Sequence, residues 1–215
     1  MDLRKFRNLT LAALLATGGW VSAPTSAQAT DFAEVSFEQM VDASNFIVRG
    51  TVQRVWSEKD ATGKIWTRAE LAITKTYKGN TSGTLIVDSL GGSHGDDHSG
   101  IWGMTRFSPN EDALIFVEQL DNGRFGSFGM FNGKFTIRRA ARDTQHHVVK
   151  WHGNPAEAFD HRFIPHPKPE HRVYFNDMVD RIEARVAEGW DGKPVPGVSM
   201  EKLREINVTR NGGLQ

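Results

Sequence analysis

Apolar residues along the 215-residue chain fall into three regimes. An uncharged, mostly apolar block, Leu9 to Val21, comes first. Period-two alternation fills the middle, and three-to-four spacing returns towards the end. Between the first two regimes, Ser36-Phe37-Glu38-Gln39 has the form of a capping box and predicts a short helix to about Ser44. Phe46 to Trp56 is rich in β-branched and aromatic residues and reads as a long strand, with Gly50 marking a bulge or bend. Asp60-Ala61-Thr62-Gly63 is turn chemistry. In the next strand Ile65, Thr67, Ala69, Leu71 and Ile73 share the face that should point into a core, with Trp66, Arg68, Glu70 and Thr74 opposite.

Thr84–Leu90 and Ala113–Glu118 are further strands, the latter central because its apolar run is nearly continuous. Asp121-Asn122-Gly123 turns into Arg124–Phe131. Asn132-Gly133 then predicts a hairpin into Lys134–Arg138. Five to six strands joined mostly by short turns predict a mainly β fold, an OB-like antiparallel barrel, whose long strands bend at glycine to close. Beyond a short strand, His147–Trp151, lies a His/Pro-rich connection. Phe175, Val179, Ile182 and Val186 then form one apolar helical stripe, ended by Gly189, and a short helix starts near Ser199. The stripe should pack on the barrel.

The opening residues carry a separate message. A basic lead (Arg4, Lys5, Arg7), the apolar block and Ala27-Gln28-Ala29 have the layout of a secretory signal peptide. The expected organisation is a signal peptide over 1–29, a barrel domain over 30–151, the connection over 152–170 and a helical extension over 171–215. The expected location is periplasmic or secreted. Without residues 1–29 the formal net charge is −2. That balance argues against nucleic acid, which needs clustered Lys and Arg. No later stretch is long and apolar enough for a membrane-spanning helix. The sequence contains no cysteine, so the domain must hold together by its core and cannot use thiol chemistry.

Four motifs follow one another: Phe46-Ile47-Val48-x-Gly50-Thr51-Val52, Tyr77-Lys78-Gly79, Gly91-Gly92 and Phe107-x-Pro109-Asn110-Glu111-x-Ala113-Leu114-Ile115-Phe116. In order and spacing they resemble a module of bacterial exported proteins that is itself similar to the netrin and tissue-inhibitor-of-metalloprotease type of OB-fold. The resemblance covers roughly residues 35–139 and implies a fold and an export habit, with no catalytic residues. The chain departs from the pattern at Asn110, where the module has Gly, and in a long polar insert after Gly92. It also lacks the cysteine-tethered N-terminus through which the eukaryotic inhibitors chelate zinc.

Three sets of residues are candidates for chemistry. His94, Asp96, Asp97 and His98 form the densest group of metal-ligating types and would suit zinc or copper, with His146 or His147 as a third imidazole. Gly91-Gly92-Ser93-His94-Gly95 matches G-x-S-x-G, the nucleophile elbow of serine hydrolases, which needs a helix directly after Ser93. Trp66, Trp102 and Phe107 could line an exposed binding face. The histidines from 146 to 171 would also raise surface charge in mild acid. The reading that follows is a non-enzymatic binding module for a protein or small ligand, contacting it through the Gly91–Phe107 loop. A metal-binding protein is the first alternative and a Ser93 hydrolase the second.

Overall fold

The computed structural model describes residues 35–101, 103–138, 146–149 and 173–208. Helix α1 (Phe37–Ala43) opens on the predicted capping box: Ser36 Oγ accepts from Gln39 N, and Gln39 Oε1 accepts from Ser36 N. Strands β1 (Phe46–Lys59), β2 (Ile65–Lys78) and β3 (Thr84–Leu90) form an antiparallel meander. A small hairpin, β4 (Gly92–His94) and β5 (Asp97–Ser99), comes next, then β6 (Asp112–Gln119), β7 (Phe125–Ser127), β8 (Lys134–Arg138) and β9 (His147–Val149). Helices α2 (Phe175–Glu188) and α3 (Met200–Val208) complete the chain.

The fold is mainly β, and its sheet returns on itself. β6 pairs with β1 on one side and β7 on the other, while β7 bridges β3 at Asp88–Gly126. The ring is therefore β1-β2-β3-β7-β6, an OB-like barrel. Its β3–β7 contact is parallel. An all-antiparallel ring was expected, but five strands cannot alternate direction all the way round a closed loop. One neighbouring pair must run the same way. The register shift between Arg49 and Gly50 is the predicted irregularity in β1.

The Asn132-Gly133 hairpin does not form. β7 and β8 run in the same direction and are successive stretches beside β6, separated by a 3-10 turn over Met130–Gly133. Phe128 N still bonds Phe116 O, so the chain detours briefly and rejoins the same neighbour instead of reversing.

Residue alternation sorts the barrel into two cores. Val48, Leu71, Val87, Ile115 and Val117 fill the ring, with Phe107 among them. Leu114, Phe116 and Phe135 face outwards and meet α1, α2 and α3 through Phe37, Phe175, Ile182 and Leu203. β6 is thus buried on both faces, which accounts for its continuous apolar run. Phe116 sits edge-on between Phe37 and Phe135, with centroids 5.7 and 5.8 Å away. Truncating such a ring costs about 3–5 kcal/mol. On α2 the buried stripe is Phe175, Met178 and Ile182, with Val179 and Val186 at its margins.

Candidate functional site

Residues 91–107, expected to be a loop, begin with the β4–β5 hairpin. Gly95-Asp96 is its two-residue turn, with Gly95 at φ +60, which suits the first position of a II′ turn. A Gly-Asp pair is a recognised hairpin signal. Its strands here are polar, so no hydrophobic alternation announces them.

The hairpin is fastened to β1 and β2 at its base. Gly91 N donates to Ile65 O, and Thr67 Oγ1 donates to Gly91 O at 2.7 Å. Gly92 presses on the same hydroxyls: a Cβ there would collide with Thr67 Oγ1 and approach Ser57 Oγ to 2.7 Å, so no other residue fits without movement. Further out, His94 Nδ1 lies 3.2 Å from Ser57 O, and Asp97 forms an ion pair with Lys59. The Lys59 hydrogen bond and charge hold the Asp97 carboxyl below its usual range.

This register divides the candidate metal ligands. His94 pairs with Asp97, and Ser93 with His98. Cross-strand partners share a face and successive residues alternate, so His94/Asp97 and Ser93/His98 lie on opposite faces. His94 and Asp97 are committed to Ser57 O and Lys59, and Asp96 occupies the turn. Among the described residues, no three His, Asp or Glu side chains gather to hold a metal ion. His147 opens β9, which pairs with β8, and His146 directly precedes it. His152, His161, His166 and His171 lie outside the described residues.

Ser93 Oγ and His98 Nδ1 are 2.9 Å apart. That contact joins a hydroxyl to an imidazole, but the elbow context is missing: Ser93 is in a strand, and a second strand follows it where the motif needs a helix. No carboxylate is hydrogen-bonded to His98 among the described residues.

The aromatic candidates divide as well. Trp66 is 7 % exposed, its indole N–H donates to Asp60 Oδ2 at 2.8 Å, and Arg124 lies over its ring. Thr62 and Trp66 hydrogen bonds hold the Asp60 carboxyl far below its usual range, which makes this acid a rigid turn anchor. Phe107 is 8 % exposed and belongs to the barrel core. The exposed binding face expected of these two rings is therefore not formed: one ring is covered by its own turn and a neighbouring arginine, the other enters the core. Trp102 lies outside the described residues.

Beneath the hairpin is a hollow of about 430 Å³, between the start of β2, the end of β3 and residues 99–107. Phe107 forms part of its wall. The segment carrying Phe107 is pinned by a buried ion pair of Lys134 with Glu111, and Lys134 Nζ also donates to Arg106 O at 2.8 Å. Burial pushes the Lys134 ammonium pKa down. Asn110 takes φ +64, a conformation glycine favours and asparagine tolerates, so Asn at this motif position leaves the turn intact. Beside the β3–β7 bridge, the Ser89 and Ser127 hydroxyls are buried and find no hydrogen-bond partner among the described residues. Ser89 lines the hollow. Nothing in the sequence singles it out, because one hydroxyl in an apolar strand is ordinary.

Ile101, at the outer edge of the hollow, is 39 % exposed. It is the one large hydrophobic side chain so exposed among the described residues. A second hollow of about 440 Å³ adjoins it on the Lys59 side. No protein-family model, curated protein or solved structure matches the chain.

Proposed function

We propose that this chain is an exported, non-enzymatic binding module whose contact region is residues 91–107. The observation that carries the reading is Ile101: an exposed apolar side chain beside a hairpin, flanked by two open hollows, where no other large hydrophobic among the described residues is so exposed. A projecting loop on a rigid barrel is a common place for recognition. The signal-peptide layout of residues 1–29 supports export, and the near-neutral charge fits a protein or small-ligand partner better than nucleic acid. No described helix is long and apolar enough to cross a membrane. The metal-binding and hydrolase alternatives draw less support, because the ligand set is split between two faces and no carboxylate among the described residues orients His98 in the Ser93–His98 contact.

The test is a photo-crosslinking residue at position 101 in an exporting host, with Thr74, exposed on β2, as the control position. Discrete adducts from 101 and none from 74 are expected. Equal or absent labelling would overturn the reading. So would a substrate turned over at a rate abolished by one substitution in 91–107.

A further inference from the structure

We infer that a third hollow, between the barrel and the helical layer, is a binding site for a neutral, flat aromatic molecule carrying a hydroxyl group. It measures about 540 Å³, within the range of small-molecule sites. The length of β1 separates it from the contact region. Phe46, the first residue of this 14-residue strand, lines the hollow, while Ser57 and Lys59 near the other end hold the hairpin. The inference therefore goes beyond the reading of residues 91–107 and does not rest on it.

Shape comes first. Phe46 and Tyr77 line the hollow from the barrel, and Val186 of α2 and Ile206 of α3 line it from the helices. A ring wall opposite an aliphatic wall suits a flat apolar body. Both walls are held by contacts made outside the hollow. Arg185 grips Asp42 and fixes the end of α2, and Asn207 Nδ2 donates to Asp42 O at 3.2 Å and fixes α3. On the barrel side, Asn45 N donates to Val117 O at 2.7 Å. The hollow is thus formed before a ligand arrives, which lowers the cost of binding.

Hydrogen bonding and charge then select the ligand. The charged side chains lining the hollow, Lys78 and Glu205, are both committed. Lys78 is 4 % exposed and its Nζ donates to Val41 O and Asp42 O, and Glu205 has a partner of its own. A charged ligand would lose hydration without a free counter-charge to meet it. The polar groups that remain are uncharged. The half-buried Tyr77 hydroxyl makes no hydrogen bond among the described residues. Burial pushes its pKa up, so it stays protonated and can donate. Asn45 Oδ1 accepts from Gln119 N at 2.8 Å, which leaves Nδ2 as a second donor. Thr76 Oγ1 donates to Thr81 O at 2.7 Å and keeps its lone pairs to offer. Two donors and an acceptor beside apolar walls match a neutral hydroxyl, which accepts and donates at once.

The test is an amide NMR titration of the purified chain with three probes: 2-naphthol, 2-naphthoate (the rings with a charge) and decahydro-2-naphthol (the hydroxyl on saturated rings). 2-Naphthol should saturate with Kd below about 1 mM, and the other two should bind at least about tenfold more weakly. Its shifts should cluster at residues 45–46, 76–80, 186 and 205–206 and leave 91–107 unmoved. Tyr77→Phe should weaken 2-naphthol by about fivefold, and Ile206→Trp, which fills the hollow from α3, should abolish binding. Amide spectra with wild-type dispersion would show that each variant folds. The inference is overturned if 2-naphthol does not saturate, if its shifts cluster elsewhere, if either control probe matches it, or if Tyr77→Phe or a folded Ile206→Trp binds like wild type. Failure here leaves residues 91–107 standing as the contact region, and absent crosslinks from position 101 would leave this hollow standing.

Discussion

Arg185 on α2 grips Asp42 on α1 through both carboxylate oxygens, Nε to Oδ1 at 3.0 Å and Nη2 to Oδ2 at 2.5 Å. Both side chains are largely buried. The main chain of the same residue is also held, since Lys78 Nζ donates to Asp42 O at 2.8 Å and Asn207 Nδ2 reaches it at 3.2 Å. The end of α1 is thus tied to α2, α3 and the barrel at once. Arg185→Leu leaves a buried carboxylate unpaired and should cost about 3–5 kcal/mol in urea unfolding. Asp42→Leu/Arg185→Leu should recover most of that loss, because the pair's desolvation penalty disappears with it. A double variant as unstable as the single one would show that the fork does more than neutralise a buried charge.

Ser89→Ala acts in the opposite direction. The hydroxyl makes no hydrogen bond among the described residues, so removing it should raise the stability of the chain by about 1 kcal/mol. Thermal melting reads this directly. A loss of stability would mean that Ser89 has a partner, such as an ordered water.

Acid should release the hairpin before it unfolds the barrel. Lys59 holds the Asp97 carboxyl below its usual range. A carboxylate with a lowered folded pKa contributes stability above its ordinary pKa and loses it as pH falls through the lowered value. The protection factors of residues 92–99, with the intrinsic pH dependence of exchange divided out, should therefore fall in that acidic window, while β1, β2 and β6 stay protected. Asp97→Asn should give the same loss of protection at neutral pH, with the midpoint of global unfolding almost unmoved because the pair is exposed. Hairpin exchange that ignores both pH and Asp97→Asn would show that Gly92 and Thr67 suffice to hold it.

Zinc or copper titration should not report a hairpin site. With His94 and His98 on opposite faces and Asp97 engaged by Lys59, His94→Ala/His98→Ala should leave the binding isotherm unchanged. Tight one-to-one binding lost in that variant would mean that the hairpin opens and refolds around metal.

Sequence alone carries the scaffold further than the site. The apolar run Ala113–Val117 marks a strand buried on both faces, and Gly50 marks the irregularity in β1, because both leave their trace in local pattern. The parallel Asp88–Gly126 bridge has no such trace: it follows from ring closure, which no local window contains. Asn132-Gly133 misleads because its flanks alternate like a hairpin while both answer to β6. At the site, His94, Asp97 and His98 are conspicuous as a cluster in sequence. Their faces depend on a register set by the unobtrusive pair Gly95-Asp96. Trp66 falls on the outward face of β2 as its position predicts, yet Asp60 from the turn before the strand and Arg124 from a turn far along the chain cover it.

The most direct measurement of the central claim is hydrogen–deuterium exchange of the purified chain, with and without an envelope extract from a host that exports it. Slowed exchange confined to residues 91–107 and the neighbouring ends of β2 and β3, with α1, α2 and α3 unchanged, is the predicted result. Protection over the helical layer with 91–107 unaffected, or protection nowhere, would contradict it.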